Sequence, residues 1–137
     1  KEEAPMVNGK LNGIVMDYYE DGSRYKETPY VNGKKHGTKI WYHEDGSKSG
    51  VVPYVKGNHH GTQTWYHKNG SKSSETPYVE GKKHGTDIRY YENGNKKEEK
   101  PYLEGIRHGT SVDYQEDGSK RREILYEDGR MISDEEY

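Results

Sequence analysis

Four histidines recur every 24 residues and raise the question of a metal site: His36, His60, His84 and His108. Zinc takes three or four ligands at about 2.1 Å from one point. Residues one interval apart would lie two strands apart in a sheet, roughly 9–10 Å. Neighbouring members therefore cannot share an ion, and His60 with the nearby His67 would leave a site short of ligands. We expect no metal site, and we expect the four side chains to form hydrogen bonds beside the adjacent glycine turns.

The other polar residues give no catalytic constellation. Acidic turns such as Glu44-Asp45-Gly46 hint at calcium, but they lack the alternating acids of an EF-hand loop. Most serines lie in turns, and most carboxylates occupy repeated turn positions. A single open sheet offers little of the concavity that ligand sites need. We therefore expect no catalytic residues, no cofactor and no enzyme activity.

One strand of each unit carries the clearest binding signal. Successive residues of a strand point to opposite faces, so Thr38, Ile40 and Tyr42 share one face and Lys39, Trp41 and His43 the other. Residues on the first face stay similar in every unit, and we call it the constant face; the second is the variable face. Trp, Tyr and Arg dominate binding hot spots. The partner-binding candidates, all on the variable face, are Trp41, His43, Trp65, His67, Arg89 and Tyr91.

The aromatic residues of the variable face allow two interpretations. We expect the constant face to be packed and the variable face to meet solvent or a partner protein. The alternative is that Trp41 and Trp65 pack on neighbouring strands as ordinary cross-strand aromatic pairs. The sequence leaves both readings open.

A basic row suggests a second kind of partner. One basic residue comes two positions after the glycine of each of these Asp-Gly or Asn-Gly turns: Arg24, Lys48, Lys72, Lys96 and Lys120. Such a row would lie along one long edge of the sheet, and anionic lipid surfaces attract basic residues by about 1 kcal/mol each. Acids two to four residues earlier lie on the same edge and largely cancel this field. Phospholipid binding is therefore the alternative function.

These residues are positioned by a 24-residue repeat. Pro5, Pro29, Pro53, Pro77 and Pro101 keep this step, and three glycine series do so as well. A fixed period of 20 to 50 residues indicates a repeat array. The chain divides into units 5–28, 29–52, 53–76, 77–100 and 101–124 and a half unit 125–137, which together form a single repeat domain.

Each unit reads as strand, turn, strand, turn. Asn32-Gly33 and Asp45-Gly46 are dipeptides of tight hairpin turns, and connections this short join antiparallel neighbours. The predicted fold is all-β: an elongated single-layer antiparallel meander of about 10–11 strands, on the order of 50 Å long. Pro29 cannot donate to a ladder, so it should lie at a strand boundary or bulge. Gly37 should mark a bend or bulge.

Composition agrees with a shallow core and excludes several classes of protein. Only 27% of residues are hydrophobic, but 14 tyrosines recur at fixed positions. The chain has no cysteine for disulfides or zinc thiolates. We find no signal peptide and no apolar run of about 18 residues that would predict a membrane span. The net charge is -2, without the clustered basic face that nucleic-acid binding requires.

The unit resembles the MORN-type repeat in its bacterial variant form. The resemblance lies in Tyr30-Val31-Asn32-Gly33-Lys34-Lys35-His36-Gly37 followed by Trp41-Tyr42-His43-Glu44-Asp45-Gly46, and it recurs along nearly the whole chain. The first unit departs from it, with Met6 for Tyr and Asn12 for His. The resemblance implies an elongated array of β-hairpins and a non-enzymatic role in protein or phospholipid contact. Some bacterial relatives are grouped as antitoxin or immunity proteins.

We therefore expect a repeat scaffold that binds a protein partner through the variable face. The two ends of the sheet each expose an unpaired strand, which is a template for self-association. An acidic tail, Asp134-Glu135-Glu136, blunts or caps one of these ends.

Overall fold

The computed structural model describes residues 5–137. This part of the chain contains no helix and therefore no helix long and apolar enough to cross a membrane. The strands are β1 (Met6–Val7), β2 (Lys10–Leu11), β3 (Gly13–Tyr18), β4 (Arg24–Val31), β5 (Lys34–Lys35), β6 (Gly37–Tyr42), β7 (Lys48–Val55), β8 (Asn58–His59), β9 (Gly61–Tyr66), β10 (Lys72–Val79), β11 (Lys82–Lys83), β12 (Gly85–Tyr90), β13 (Lys96–Leu103), β14 (Ile106–Arg107), β15 (Gly109–Tyr114), β16 (Lys120–Glu127) and β17 (Arg130–Glu136).

Eleven of these strands form one antiparallel sheet in chain order, from β3 at one edge to β17 at the other. The short strands β5, β8, β11 and β14 each fold back onto the end of the preceding long strand, and β1 pairs with β2 separately. The predicted all-β, single-layer meander of hairpins is confirmed. The sequence analysis did not separate the short strands from the strands that follow them.

The Asn-Gly turn is a two-residue hairpin turn, as predicted. Asn32 and Gly33 both have positive φ, 50° and 79°, and the flanking Val31 and Lys34 are paired. This combination defines the type I′ turn, whose twist matches that of the strands. The equivalent first residues in later units are Lys56, Glu80, Glu104 and Asp128, all with positive φ.

The Asp-Gly turn differs from this pattern. The His43 N–H donates to the Ser47 carbonyl at 2.8 Å, which encloses a three-residue loop. Only Gly46 has positive φ, and the Asp45 carboxylate instead accepts hydrogen bonds from the Ser47 N–H and hydroxyl. The register then shifts between Trp41 and Tyr42. The other four hairpins closed by such a loop show the same register shift. Each of them therefore carries a β-bulge, which bends the strand and changes which residues share a face.

Pro29, Pro53, Pro77 and Pro101 lie inside strands, so the predicted boundary position is wrong for them, whereas Pro5 directly precedes β1. Pro29 is the sixth residue of the eight in β4 and pairs with Ile14 of β3. On its other side, the ladder to β6 involves only Lys26 and Glu27. The absent N–H of proline is tolerated because the ladder has already ended there and the chain folds back as β5. The Pro29 carbonyl accepts from the His36 N–H at 3.1 Å.

Gly37 is the first residue of β6, where the chain turns from β5 into the long strand. Its φ is +106°, and an added Cβ would be 3.4 Å from Cγ of Pro29. The same distance is 3.0 Å at Gly85, where the neighbour is Pro77. Backbone conformation and space therefore both favour glycine at this position.

Burial does not follow the expected division between the two faces. The variable face carries the most buried row, which includes Val52 at 3%, Thr28 at 4% and Thr76 at 6% exposure. On the constant face, Tyr42 and Val112 are each 8% exposed. The expectation that the constant face alone is packed is therefore wrong. In a one-layer sheet, long side chains on either face shelter the short ones between them.

Candidate functional site

Four aromatic rings form a continuous cluster on the variable face. Tyr19 lies 5.0 Å from Tyr25, Tyr25 lies 5.2 Å from Trp41, and Trp41 lies 6.2 Å from Trp65, measured between ring centroids. The structure therefore brings the two predicted tryptophans together and adds two tyrosines that the sequence analysis did not select. Tyr19 lies 24 residues before His43 and so occupies the same place in the first unit. The 24-residue step from His43 could therefore have identified it in the sequence.

Trp65 lies directly on the backbone of Gly50. The two residues are cross-strand partners in β9 and β7, and a Cβ on Gly50 would be 2.4 Å from Cζ3 of the indole. On the other side of Trp65, its partner is Ser74 of β10. A glycine and a serine thus leave room for the indole to lie flat along the sheet.

Two predicted site residues connect neighbouring units. The Tyr91 hydroxyl donates to the Tyr114 carbonyl at 2.8 Å, and His67 Nε2 lies 3.0 Å from the Tyr90 carbonyl. Tyr19 makes the same contact to the next unit, with the Tyr42 carbonyl at 2.7 Å. His43 Nε2 is buried without a hydrogen-bond partner among residues 5–137. Tyr19, His67 and Tyr91 are therefore each held by a backbone carbonyl of the following unit.

Arg89 continues the row beyond Trp65 and is the most open of the predicted residues. Its side chain is 61% exposed and its Nε lies 3.5 Å from Glu98. Between Arg89 and Trp65 is an open depression of about 460 Å³, lined by His43, Ser49, Trp65, Tyr66, Ser73, Ser74 and Arg89. The short serines create this space. An indole, a guanidinium and several hydroxyl groups thus border one recess.

A second row on the variable face alternates tyrosines with basic residues. Lys35 lies 5.1 Å from the ring centre of Tyr54, and His59 lies between Tyr54 and Tyr78 at 4.7 and 4.8 Å. His59 Nε2 is also 2.9 Å from the Tyr54 hydroxyl. Burial and the charge of Lys35 lower the pKa of His59. This row is not evident from the sequence, because the pattern does not distinguish the short strands β5, β8, β11 and β14 from the strands that follow them.

Most of the basic row is paired with glutamates on the constant face. The distances are 2.9 Å for Arg24–Glu27, 3.3 Å for Lys72–Glu75 and 3.2 Å for Lys96–Glu99, and Lys120 contacts Glu123. Each glutamate comes three residues after the basic residue. In the second unit Val51 takes this place, so Lys48 has no such partner. The charge that neutralises the row thus comes mainly from these glutamates and not, as expected, from the acids of the turns.

The same glutamates accept hydrogen bonds from tyrosines. The Tyr90 hydroxyl lies 2.8 Å from Glu75 and the Tyr114 hydroxyl 2.6 Å from Glu99. Burial, together with these bonds to a carboxylate, raises the pKa of Tyr90 and of Tyr114 to about 12. The tyrosines with a raised pKa on this face thus belong to a structural arrangement that recurs from unit to unit.

The histidine ladder connects each unit to the next. Nδ1 of His36, His60 and His84 accepts the N–H of the residue 20 positions later, at 3.2 to 3.3 Å. That residue is the first of the following type I′ turn. Asn12 takes this role in the first unit, where its Oδ1 accepts from the Asn32 N–H. No three His, Asp or Glu side chains of residues 5–137 are grouped to hold a metal ion.

Comparison with known proteins agrees with this repeated geometry. The family model described as MORN repeat variant matches four successive segments, residues 8–32, 35–56, 60–80 and 83–104. No curated protein matches the chain. MORN repeats are generally associated with binding to proteins or membranes. The matched segments make up more than half of the sequence, and the chain belongs to the family of MORN repeat variants.

Proposed function

We propose that this chain is a non-enzymatic scaffold that binds another protein through its variable face. The observation that carries the proposal is the four-ring cluster ending in Trp65, beside the serine-lined recess and Arg89. Partly exposed Trp, Tyr and Arg side chains that border a recess are typical of binding hot spots. No second layer of residues 5–137 covers this face.

The inter-unit bonds support the same proposal. His67 and Tyr91 are fixed to backbone carbonyls of the following unit, and Trp65 is fixed by Gly50. A rigid surface loses little conformational entropy when it binds. An antitoxin or immunity role, in which the partner is a toxin, would be one case of such binding.

Phospholipid binding through the basic row is the competing function. Four of its five members contact a glutamate three residues later, which leaves Lys48 as the member with an unbalanced charge. A row paired in this way has little net attraction for an anionic surface. Lipid binding would also weaken steeply with added salt, because the screening length falls to about 8 Å at physiological ionic strength.

Affinity capture from a cell lysate tests the proposal. The parent chain is compared with Trp41→Ala/Trp65→Ala and with Arg89→Ala, whose exposed side chain contributes little to folding. Tyr18→Ala serves as the matched control, because it removes a partly exposed aromatic ring from the constant face and does not line the recess. We expect a protein that the parent and the control retain and the other two variants lose.

Two results would contradict the proposal. One is a partner retained equally by all variants, since the variable face would then not matter. The other is binding to phosphatidylserine vesicles that disappears with salt, is lost in Lys48→Gln and persists in the tryptophan variant. Thermal unfolding of each variant checks that loss of capture does not reflect loss of the fold.

A further inference from the structure

A recess at the N-terminal end of the variable face collects positive charge. It has a volume of about 520 Å³ and lies beside the aromatic cluster. Its lining residues are Met6, Leu11, Val15, Asp17, Lys26, Thr28, Tyr30, Lys35 and Lys39. Three lysines thus face a single aspartate. We call this region the lysine recess.

The lysines of the recess are poorly neutralised. Lys26 is 3.6 Å from Asp17, whereas Lys35 and Lys39 have no carboxylate partner among residues 5–137. Lys39 instead lies 4.3 Å from the ring centre of Trp41. Burial and repulsion from Lys35 and Lys26 lower the pKa of Lys39. An anion placed among these ammonium groups would relieve that repulsion.

Several cations farther along the variable face have a carboxylate partner, unlike Lys35 and Lys39 of the lysine recess. Lys83 is 3.3 Å from Asp87, and Lys100 is 2.7 Å from Glu98. Arg122 likewise contacts Asp134. Arg107, the equivalent of Lys35, instead donates to the Ser111 hydroxyl and lies over the Tyr126 ring. The distinguishing feature of the lysine recess is therefore that three ammonium groups share one carboxylate.

We propose that the lysine recess binds an acidic side chain from an extended segment of a protein partner. This inference rests on the proposed function and specifies the chemistry of the partner. The recess is mixed, with Met6, Leu11 and Val15 beside the lysines. It therefore suits a segment in which carboxylates are flanked by apolar residues. A headgroup or free phosphate would use the lysines but not the apolar lining.

The test uses the acetylated hexapeptide Glu-Leu-Glu-Val-Glu-Leu, fluorescently labelled, and its glutamine counterpart. Binding to the full chain is measured by anisotropy at low salt. We expect the acidic peptide to bind and the glutamine peptide not to bind. Lys39→Gln and Lys35→Gln should each weaken binding by about three- to fivefold, the range of one partly exposed ion pair. Lys34→Gln is the matched control, because it removes the same charge outside the recess.

Four outcomes would overturn the inference. They are no binding of the acidic peptide, equal weakening by Lys34→Gln, equal binding of the glutamine peptide, and displacement of the peptide by inorganic phosphate or phosphatidylserine vesicles at the same concentration. The proposed function is judged separately by lysate capture. A partner that is lost by Trp41→Ala/Trp65→Ala but bound by Lys39→Gln and Lys35→Gln with the affinity of the parent would refute this inference and leave the scaffold proposal standing.

Discussion

Replacing Gly50 by alanine tests whether Trp65 is held by the backbone beneath it. The new Cβ would lie 2.4 and 2.5 Å from two ring carbons of the indole, whereas carbon atoms in contact are about 3.5–4.0 Å apart. The two strands are hydrogen-bonded and cannot separate freely, so the ring must move by about 1 Å or more. Its 6.2 Å contact with Trp41 would change with it.

The expected cost combines two opposing effects. Overfilling a packed site costs about 1–3 kcal/mol, and a glycine-to-alanine change returns about 0.4–1 kcal/mol by restricting the unfolded chain. We therefore expect Gly50→Ala to lower the free energy of unfolding by about 1–2 kcal/mol, or the Tm by about 3–8 °C. Urea and thermal unfolding measure this loss, and near-UV circular dichroism reports the indole pair.

Ser74→Ala is the matched control for this prediction. Ser74 occupies the equivalent position one unit later and flanks Trp65 from the opposite side. Its replacement should leave stability within about 0.5 kcal/mol of the parent. The reasoning would be refuted if Gly50→Ala were at least as stable as the parent and its near-UV spectrum were unchanged.

Three further predictions concern the turns and the shifted pKa values. Glu80 and Glu104 adopt positive φ, so Glu80→Gly or Glu104→Gly should raise stability by up to about 1 kcal/mol in urea unfolding. The raised pKa of Tyr90 and of Tyr114, about 12, means that their contribution to stability is present below pH 10 and is lost as pH rises from 10 towards 12. Urea midpoints at pH 9, 10 and 11 should therefore fall. The lowered pKa of His59 makes stability depend on pH in the opposite direction. Its contribution to stability is present above pH 6.5 and is lost as pH falls below that value. Urea midpoints should therefore fall from pH 7 to pH 5.

Each of these predictions has a variant that can contradict it. A loss of stability in both glycine variants would show that the turn residues are not strained. The Tyr90→Phe/Tyr114→Phe variant should lose less stability between pH 9 and 11 than the parent, and an identical slope would refute the alkaline prediction. His59→Gln should likewise flatten the curve between pH 7 and 5; a curve parallel to that of the parent would show that another group is responsible.

The fold was predictable because its signals are local. Turn dipeptides such as Asn32-Gly33, the alternation around Trp41 and the 24-residue period are all visible in the sequence, and each acts within one hairpin. The position of Pro29 was not predictable in the same way, because it depends on where the ladder between β4 and β6 ends. That end is set by β5, which the sequence does not distinguish from β6.

The bulges explain most of what the sequence analysis missed at the site. Residues three apart in a regular strand point to opposite faces, so the contact between Arg24 and Glu27 was not expected. The extra residue beside each Asp-Gly loop brings both side chains to the constant face. The same bulge brings Tyr25 towards Trp41 on the variable face. The alternation of side chains along a strand therefore predicts neither contact unless the length of the Asp-Gly loop is already known.

The bonds that join successive units also bear on how such a chain changes over evolution. The ladder bond from His60 spans 20 residues, and the bond from Tyr91 to the Tyr114 carbonyl spans 23. Both reach only the adjoining unit, so duplication or loss of one whole unit recreates the same set of bonds at the new junction. Gene-level changes in copy number can therefore lengthen or shorten the surface without redesigning its interior. A tryptophan or lysine patch can then diverge in one copy while the others preserve the framework.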